Sequence, residues 1–227
     1  MAYSIVRASR TRTRLIVTPD GGVEVRTDRD RCGASIAKLV QSKAQWILRQ
    51  QEYFERFRPR DPNRTYVSGE TVRYLGRQYR LKIERGSESS VKLRGRFLIV
   101  RLPTRCHEGS ERELVRGWYK SRASDVLAKR LMLCQTHAAP HGIHKPALTI
   151  RWMTRRWGSC TPGGRLILNP LVVLTPIDCV DYVLMHELCH LKHSAHNRAF
   201  YRLLDVVMPD WRLRRERLDR HGKHLAL

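Results

Sequence analysis

The residues best suited to chemistry in this sequence lie between His186 and His190, which read HELCH. Residues four positions apart on an α-helix differ by about 40° of rotation and about 6 Å of rise, so two imidazoles can reach one metal ion. Glu187 lies between them, within reach of a water molecule held by that ion. The pattern is typical of sites where zinc activates water for hydrolysis.

The residues around the motif predict that it lies on a buried helix. Thr175 is a candidate N-cap, Pro176 suits the first helical position, and Asp178 complements the helix dipole. Apolar residues then recur with three-and-four spacing, at Ile177, Val180, Val183, Leu184, Leu188 and Leu191. The polar residues of HELCH need a partner on such a helix, because burying an unpaired polar group is unfavourable.

A catalytic zinc ion usually has three protein ligands and one open position, so a further ligand is expected. His193 follows on the same helical face, but it would lie about 10 Å along the axis from His186, too far to share one ion. His196 is the better candidate if the chain turns after Lys192 and Asn197 caps a second helix. That helix would end near Met208 and Pro209.

The predicted site therefore consists of one Zn²⁺ ion bound by His186, His190 and His196, with Glu187 as general base. An acidic third ligand, Asp205 or Glu216, is the weaker alternative. A second histidine group, at His137, His141 and His144, lacks an accompanying acid or thiol arrangement and is predicted to be a surface loop.

The sequence around the motif resembles the YgjP-like metallopeptidases, relatives of the SprT-like and WLM zincins. The matching features are Arg156-Trp157-Gly158-Ser159-Cys160, Leu168-Asn169, Tyr182 before the motif, and His196 followed by Phe200. The resemblance is detailed over the last third of the chain and looser before it, at Tyr74-Leu75-Gly76 and Trp118-Tyr119. It implies an HExxH zinc peptidase acting on peptide or protein substrates.

Trp157, Gly158 and Ser159 are candidate substrate-binding residues. In zincins, the strand beside the active-site helix can pair with an extended peptide, and these residues lie where that strand or its turn is expected. Gly158 would allow close backbone approach. Core packing is the alternative role for Trp157, and Arg156 and Tyr201 are candidates for stabilising the oxyanion.

Composition suggests further partners and a location. A formal net charge of +23 would attract polyanions, which makes DNA or RNA a candidate partner through a basic surface; solvated surface charge or an acidic protein partner are the alternatives. No apolar run approaches the length of a membrane span and no secretory segment is seen, so a cytoplasmic protein without membrane contact is expected. The six scattered cysteines are expected to be free thiols.

Hydrophobic patterns predict an α+β fold. Residues 1–108 read as a β-rich N-terminal module with one long helix. For residues 109–227, the resemblance implies a zincin-like metallopeptidase module that is helical with a small antiparallel sheet. The β-prone runs are Ile5–Val6, Leu15–Val17, Val23–Val25, Thr71–Leu75, Tyr79–Ile83, Phe97–Leu102, Leu148–Trp152 and Arg165–Asn169. Helical periodicity covers Ile36–Phe57 and Glu111–Leu131.

Three functions are compatible with these observations. The leading one is zinc-dependent hydrolysis of peptide bonds, with nucleic acid nearby. The rival is a basic nucleic-acid-associated module whose zinc is structural or vestigial, and the third is zinc-dependent hydrolysis of a non-peptide amide. Glu187 favours an enzyme, because three histidines would satisfy a structural zinc ion and leave the carboxylate without a role.

Overall fold

The computed structural model describes residues 2–7, 9, 13–17, 22–55, 64–153 and 156–221, with side chains 50 and 52–55 left out. The chain divides into two compact units, Met1–Arg60 and Asp61–Leu227. Both units combine helices with strands, which confirms the predicted α+β class.

The first unit pairs a small sheet with two helices. Its strands are β1 (Ser4–Arg7), β2 (Arg14–Val17) and β3 (Val23–Thr27), and its helices are α1 (Gly33–Ser42) and α2 (Ala44–Glu55). The central strand β3 is parallel to β1 and antiparallel to β2. The core is apolar and consists of Val17, Val23, Val25, Ile36, Val40 and Ile47.

The single helix predicted over 36–57 is wrong, because the chain leaves helical geometry at Lys43 (φ −107°, ψ 10°). The Ser42 hydroxyl donates a hydrogen bond to the Leu39 carbonyl at 2.8 Å, which competes with the backbone pattern of a continuous helix. Phe57, the predicted helix end, lies outside the described residues.

The second unit begins with a four-stranded sheet in the order β4-β5-β7-β6. The strands are β4 (Thr71–Tyr74), β5 (Arg77–Gly86), β6 (Ser90–Arg94) and β7 (Phe97–Pro103). Three of them were predicted. Strand β6 was not predicted; it is a short edge strand in which exposed Lys92 and Arg94 alternate with half-buried Val91 and Leu93.

The long helix α3 (Ser110–Ala138) packs against this sheet and confirms the helix predicted through Glu111–Leu131. Its buried positions recur about every four residues, as in Val115, Tyr119, Ala123, Leu127 and Leu131. These side chains share one core with Leu81, Leu98, Val100 and Leu102 of the sheet. The sheet and α3 therefore belong to one unit, whereas the sequence suggested a boundary after residue 108.

A second, three-stranded sheet follows in the order β8-β10-β9, with β8 (Ala147–Ile150), β9 (Gly158–Cys160) and β10 (Arg165–Leu168). Strand β10 is antiparallel to β9 and parallel to β8. The predicted small sheet is thus present, but it is mixed rather than wholly antiparallel. Strands β8 and β10 share one core with α3 and the four-stranded sheet, so all these elements belong to the second unit.

Three helices complete the second unit: α4 (Ile177–His190), α5 (Arg198–Val207) and α6 (Trp211–His221). Helix α4 is mostly buried and contacts α3, α5, α6 and β9. The predicted cap of α5 is confirmed, since Asn197 Oδ1 accepts a hydrogen bond from the Phe200 amide at 3.0 Å. Among the described residues, no helix is both long enough and apolar enough to cross a bilayer.

Candidate metal centre

Helix α4 begins one residue later than predicted. Pro176 is the N-cap, with an extended ψ of 154°, and Ile177 is the first helical residue. Thr175 does not cap α4; its hydroxyl donates to the Val172 carbonyl at 2.7 Å and closes a short 3-10 helix, Pro170–Leu174. Asp178 lies in the first turn and accepts a hydrogen bond from Arg217 of α6 at 2.7 Å.

The structure brings His186, His190 and His196 together. The Nε2 atom of His190 lies 3.2 Å from Nε2 of His186 and 3.1 Å from Nε2 of His196, and the third distance is 2.9 Å. Four zinc ligands at about 2.0–2.1 Å in a tetrahedron would be about 3.3 Å apart, so the three nitrogens fit one small divalent ion. Among the described histidines, cysteines and acids, these three form the group with metal-binding spacing.

The ring of His190 is fixed by a backbone contact. Its Nδ1 atom lies 3.0 Å from the carbonyl oxygen of His193 and donates to it, which leaves the Nε2 lone pair free for a metal. The carbonyl is available because α4 ends at His190 and the chain turns. His186 differs, since its Nδ1 atom is buried and has no hydrogen-bond partner among the described residues.

Aromatic packing surrounds the three rings. Phe200, fully buried on α5, has ring centroid distances of 5.0, 4.6 and 4.8 Å to His186, His190 and His196. The Tyr182 ring centroid lies 5.8 Å from that of His186. Burial lowers the pKa of His186 to about 3, with further lowering from the neighbouring histidines. The His196 pKa is lowered for the same reasons, so both rings are neutral near pH 7, the form that binds metal.

Glu187 is only 7 % exposed and lies against strand β9. Burial raises its pKa to about 7, although the positive charge of Arg156 and a hydrogen bond from the Cys160 amide act in the opposite direction. A methyl group placed on Gly158 would lie 2.8 Å from both Cγ and Oε1 of Glu187. The glycine therefore lets the carboxylate approach the strand, and no larger residue fits without movement.

The residues predicted to bind substrate lie on and beside β9. Gly158 and Ser159 belong to the strand and Trp157 precedes it, and all three are half-buried. Strand β9 pairs with β10 and forms one edge of its sheet. The Trp157 side chain packs against the main core, which is the alternative role considered for it.

Asn169 positions the segment before β9, a role that was not predicted from the sequence. Its buried Nδ2 atom donates to the carbonyls of Met153 (2.7 Å) and Arg156 (2.9 Å), and its Oδ1 atom accepts from the Leu171 amide. The Leu168-Asn169 pair was the signal that could have pointed to it. An asparagine satisfies both donors and acceptors at this corner, which no apolar residue can do.

The remaining candidates lie outside the histidine cluster. Asp205 accepts hydrogen bonds from Trp211 (2.8 Å) and Arg212 (2.6 Å), and Glu216 is exposed on α6. His193 contributes its backbone carbonyl rather than its ring. The residues His137, His141 and His144 do not form a metal-binding group, and the six cysteines are free.

Comparison with known proteins identifies the family of this chain. The family model of the YgjP-like metallopeptidase domain matches residues 11–221, which is nearly the whole chain. Searches of curated proteins and of solved structures return no match. Membership of a metallopeptidase family implies a bound metal and a peptide or protein substrate. The chain belongs to the YgjP-like metallopeptidase family.

Proposed function

We propose that this protein hydrolyses peptide bonds with a zinc ion bound by His186, His190 and His196 and with Glu187 as general base. The main support is the mutual approach of three Nε2 atoms to within 3.2 Å, together with the burial of Glu187, the residue that follows His186. A structural zinc site would not require a buried acid at this position, because burying an acid costs free energy unless it has a use or a partner.

The chemistry divides between the metal and Glu187. Zinc, when bound, lowers the pKa of a water molecule and polarises the substrate carbonyl. Glu187 accepts the proton of the attacking water and passes it to the leaving amine. A carboxyl group with a pKa of about 7 suits both steps near neutral pH, since it can take up and release a proton.

We propose that the substrate backbone pairs with β9. An extended peptide can add to an exposed sheet edge through main-chain hydrogen bonds, and β9 is an edge strand next to Glu187. Gly158 and Ser159 would then contact the substrate main chain, while Trp157 would support the strand from the core side. This arrangement favours a peptide over a small non-peptide amide.

The test combines metal analysis with proteolysis. Purified protein is expected to hold one zinc ion per chain and to cleave casein, with activity lost on chelation and restored by Zn²⁺. Glu187→Gln is expected to retain zinc and lose cleavage, whereas the matched control Glu216→Gln, an exposed glutamate on α6, keeps both. Full cleavage by Glu187→Gln would contradict the mechanism. Cleavage of small amides but not of peptides would favour the non-peptide alternative.

A second function, nucleic-acid binding, is favoured by the outer face of the four-stranded sheet. Phe97 is 44 % exposed there and pairs in register with Arg80 on one neighbouring strand and Arg94 on the other. Lys82 and Lys92 flank Ile99 in the next row. An exposed aromatic ring between cationic side chains is the arrangement on which unpaired bases stack.

Fluorescence anisotropy with labelled single-stranded DNA and RNA tests this second function. Binding is expected to weaken steeply with salt, and Phe97→Ala should weaken it about tenfold through lost stacking. Arg105→Ala, which removes one exposed charge elsewhere in the same unit, serves as the control. Equal effects of Phe97→Ala and Arg105→Ala would contradict a role for this face.

A further inference from the structure

Beside the three histidines lies an open pocket of about 470 Å³ rich in arginine. We call it the arginine pocket; it is lined by Arg198, Tyr201, Arg202 and Asp205 of α5 and by Trp211, Arg212 and Arg215 of α6. Four guanidinium groups and one carboxylate give it a formal charge of +3. Neither the metal-binding residues nor Glu187 belong to its lining, so it is a separate feature of the same region.

The aromatic residues connect the arginine pocket to the candidate metal centre. The Tyr201 ring centroid lies 6.3 Å from that of His196 and 5.5 Å from that of Trp211, on which it stacks. One residue of extended peptide spans about 3.3 Å, so the 6.3 Å between the His196 and Tyr201 rings corresponds to about two residues of substrate. The charge of Arg215 also lowers the pKa of His186 and of His196, as expected for neighbouring groups.

The four arginines differ in how well they are neutralised. Arg212 donates to Asp205 at 2.6 Å and its guanidinium lies 4.5 Å from the Trp211 ring centroid, so it is held in place. Arg215 lies 3.9 Å from a carboxylate oxygen of Asp219. Within the described part of the chain, no acidic side chain pairs with Arg198 or Arg202. These two are one helical turn apart on α5 and so point to the same side of it.

We propose that the arginine pocket binds a carboxylate of the substrate about two residues from the scissile bond and makes the enzyme selective for acidic peptides. Arg198 and Arg202 supply the charge-assisted hydrogen bonds, and Tyr201 separates this subsite from the reacting carbonyl. The carboxylate of Asp205 accepts hydrogen bonds from Trp211 and Arg212 and so stabilises the edge of the subsite. The inference rests on the proposed peptidase function.

Cleavage-site mapping on a peptide mixture is the first test. Zinc-loaded protein is expected to cleave preferentially where Asp or Glu lies within two residues of the scissile bond. Two fluorescence-quenched peptides are then compared that differ only in having Glu or Gln within two residues of the scissile bond. The kcat/KM of the Glu peptide should be about tenfold higher, as expected for a charge-assisted contact. Amidating the peptide C-terminus separates the two sources of carboxylate, because only recognition of a terminal carboxylate would be lost.

Arg198→Ala combined with Arg202→Ala should bring the ratio of the Glu to the Gln rate constants close to one and leave zinc content unchanged. Arg105→Ala, which is exposed and outside the pocket, should leave that ratio as it is. No preference in the native protein, or a preference that survives the double variant, would overturn the proposal. So would a double variant that loses single-stranded DNA binding while its peptide preference is intact.

A binding experiment separates failure of this subsite from failure of the peptidase function. Zinc-loaded Glu187→Gln is titrated with a short fluorescein-labelled glutamate-rich peptide and with its glutamine counterpart. Tighter binding of the acidic peptide, lost when Arg198 and Arg202 are also replaced, would support the arginine pocket even if no peptide were cleaved. Equal binding of the two peptides would contradict a role for the arginine pocket, whether or not the protein cleaves peptides.

Discussion

The buried carboxyl group of Glu187 should weaken the metal-free fold as pH rises, and Glu187→Gln should remove this weakness. The side chain is 7 % exposed, and burial raises its pKa from 4.5 to about 7. Glutamine has nearly the same shape and retains an oxygen that can accept the hydrogen bond from the Cys160 amide. The substitution therefore removes the charge while preserving the packing against Gly158.

The magnitude follows from proton linkage. Below pH 4.5 the group is protonated in both the folded and the unfolded chain, and it contributes no difference. Between pH 4.5 and 7 the unfolded chain ionises first, so the folded state progressively loses relative stability. Above pH 7 the carboxyl group is ionised in both states. The folded state has then lost about 3 kcal/mol of stability, because a pKa difference of one between the two states corresponds to about 1.4 kcal/mol.

Urea denaturation of zinc-free protein across pH measures this cost. The free energy of unfolding of Glu187→Gln minus that of the native protein should be near zero at pH 4 and reach about 3 kcal/mol at pH 8. The histidine cluster is the same in both proteins, so its contribution largely cancels in the difference. A difference that stays constant with pH, or that favours the native protein at high pH, would refute the idea that burial governs this carboxyl group.

Two further substitutions test the surroundings of the site. Gly158→Ala should lower the free energy of unfolding by about 1–3 kcal/mol and reduce activity, because the new methyl group would overlap Glu187. Gly163→Ala is the control in the same denaturation and cleavage assays, because a methyl group on Gly163 meets open space. Asp181→Asn should lower the free energy of unfolding, measured by calorimetry, by about 2 kcal/mol, because the Asp181 carboxylate is only 10 % exposed and accepts two hydrogen bonds from Arg130, at 2.6 and 2.5 Å. An equal loss in Asp210→Asn, whose carboxylate is exposed, would contradict this reason.

The approach of the three histidine rings to one another could be anticipated from local sequence signals. The four-residue spacing puts His186 and His190 on one helix face, and the turn before Asn197 returns His196 toward them. Both signals act over a few residues, and sequence patterns report such short-range constraints directly. The carbonyl that orients His190 was not foreseen, because it depends on how the chain turns after the helix.

Features that depend on distant parts of the chain were not predicted. The parallel pairing of β5 with β7 and the edge position of β6 follow from tertiary packing, and β6 itself has only two half-buried apolar residues. The core that joins α3 to the four-stranded sheet unites residues on both sides of position 108. The hydrogen bonds of Asn169 and the assembly of the arginine pocket also require the folded chain.

Zinc K-edge X-ray absorption of the purified protein tests the central claim most directly. We expect one zinc ion with three imidazole nitrogens and one oxygen ligand, each at about 2.0–2.1 Å. Replacing His196 by alanine should remove one imidazole from the coordination shell or release the metal. Sulfur or carboxylate in place of the third imidazole, or an unchanged spectrum in the His196→Ala variant, would contradict the account.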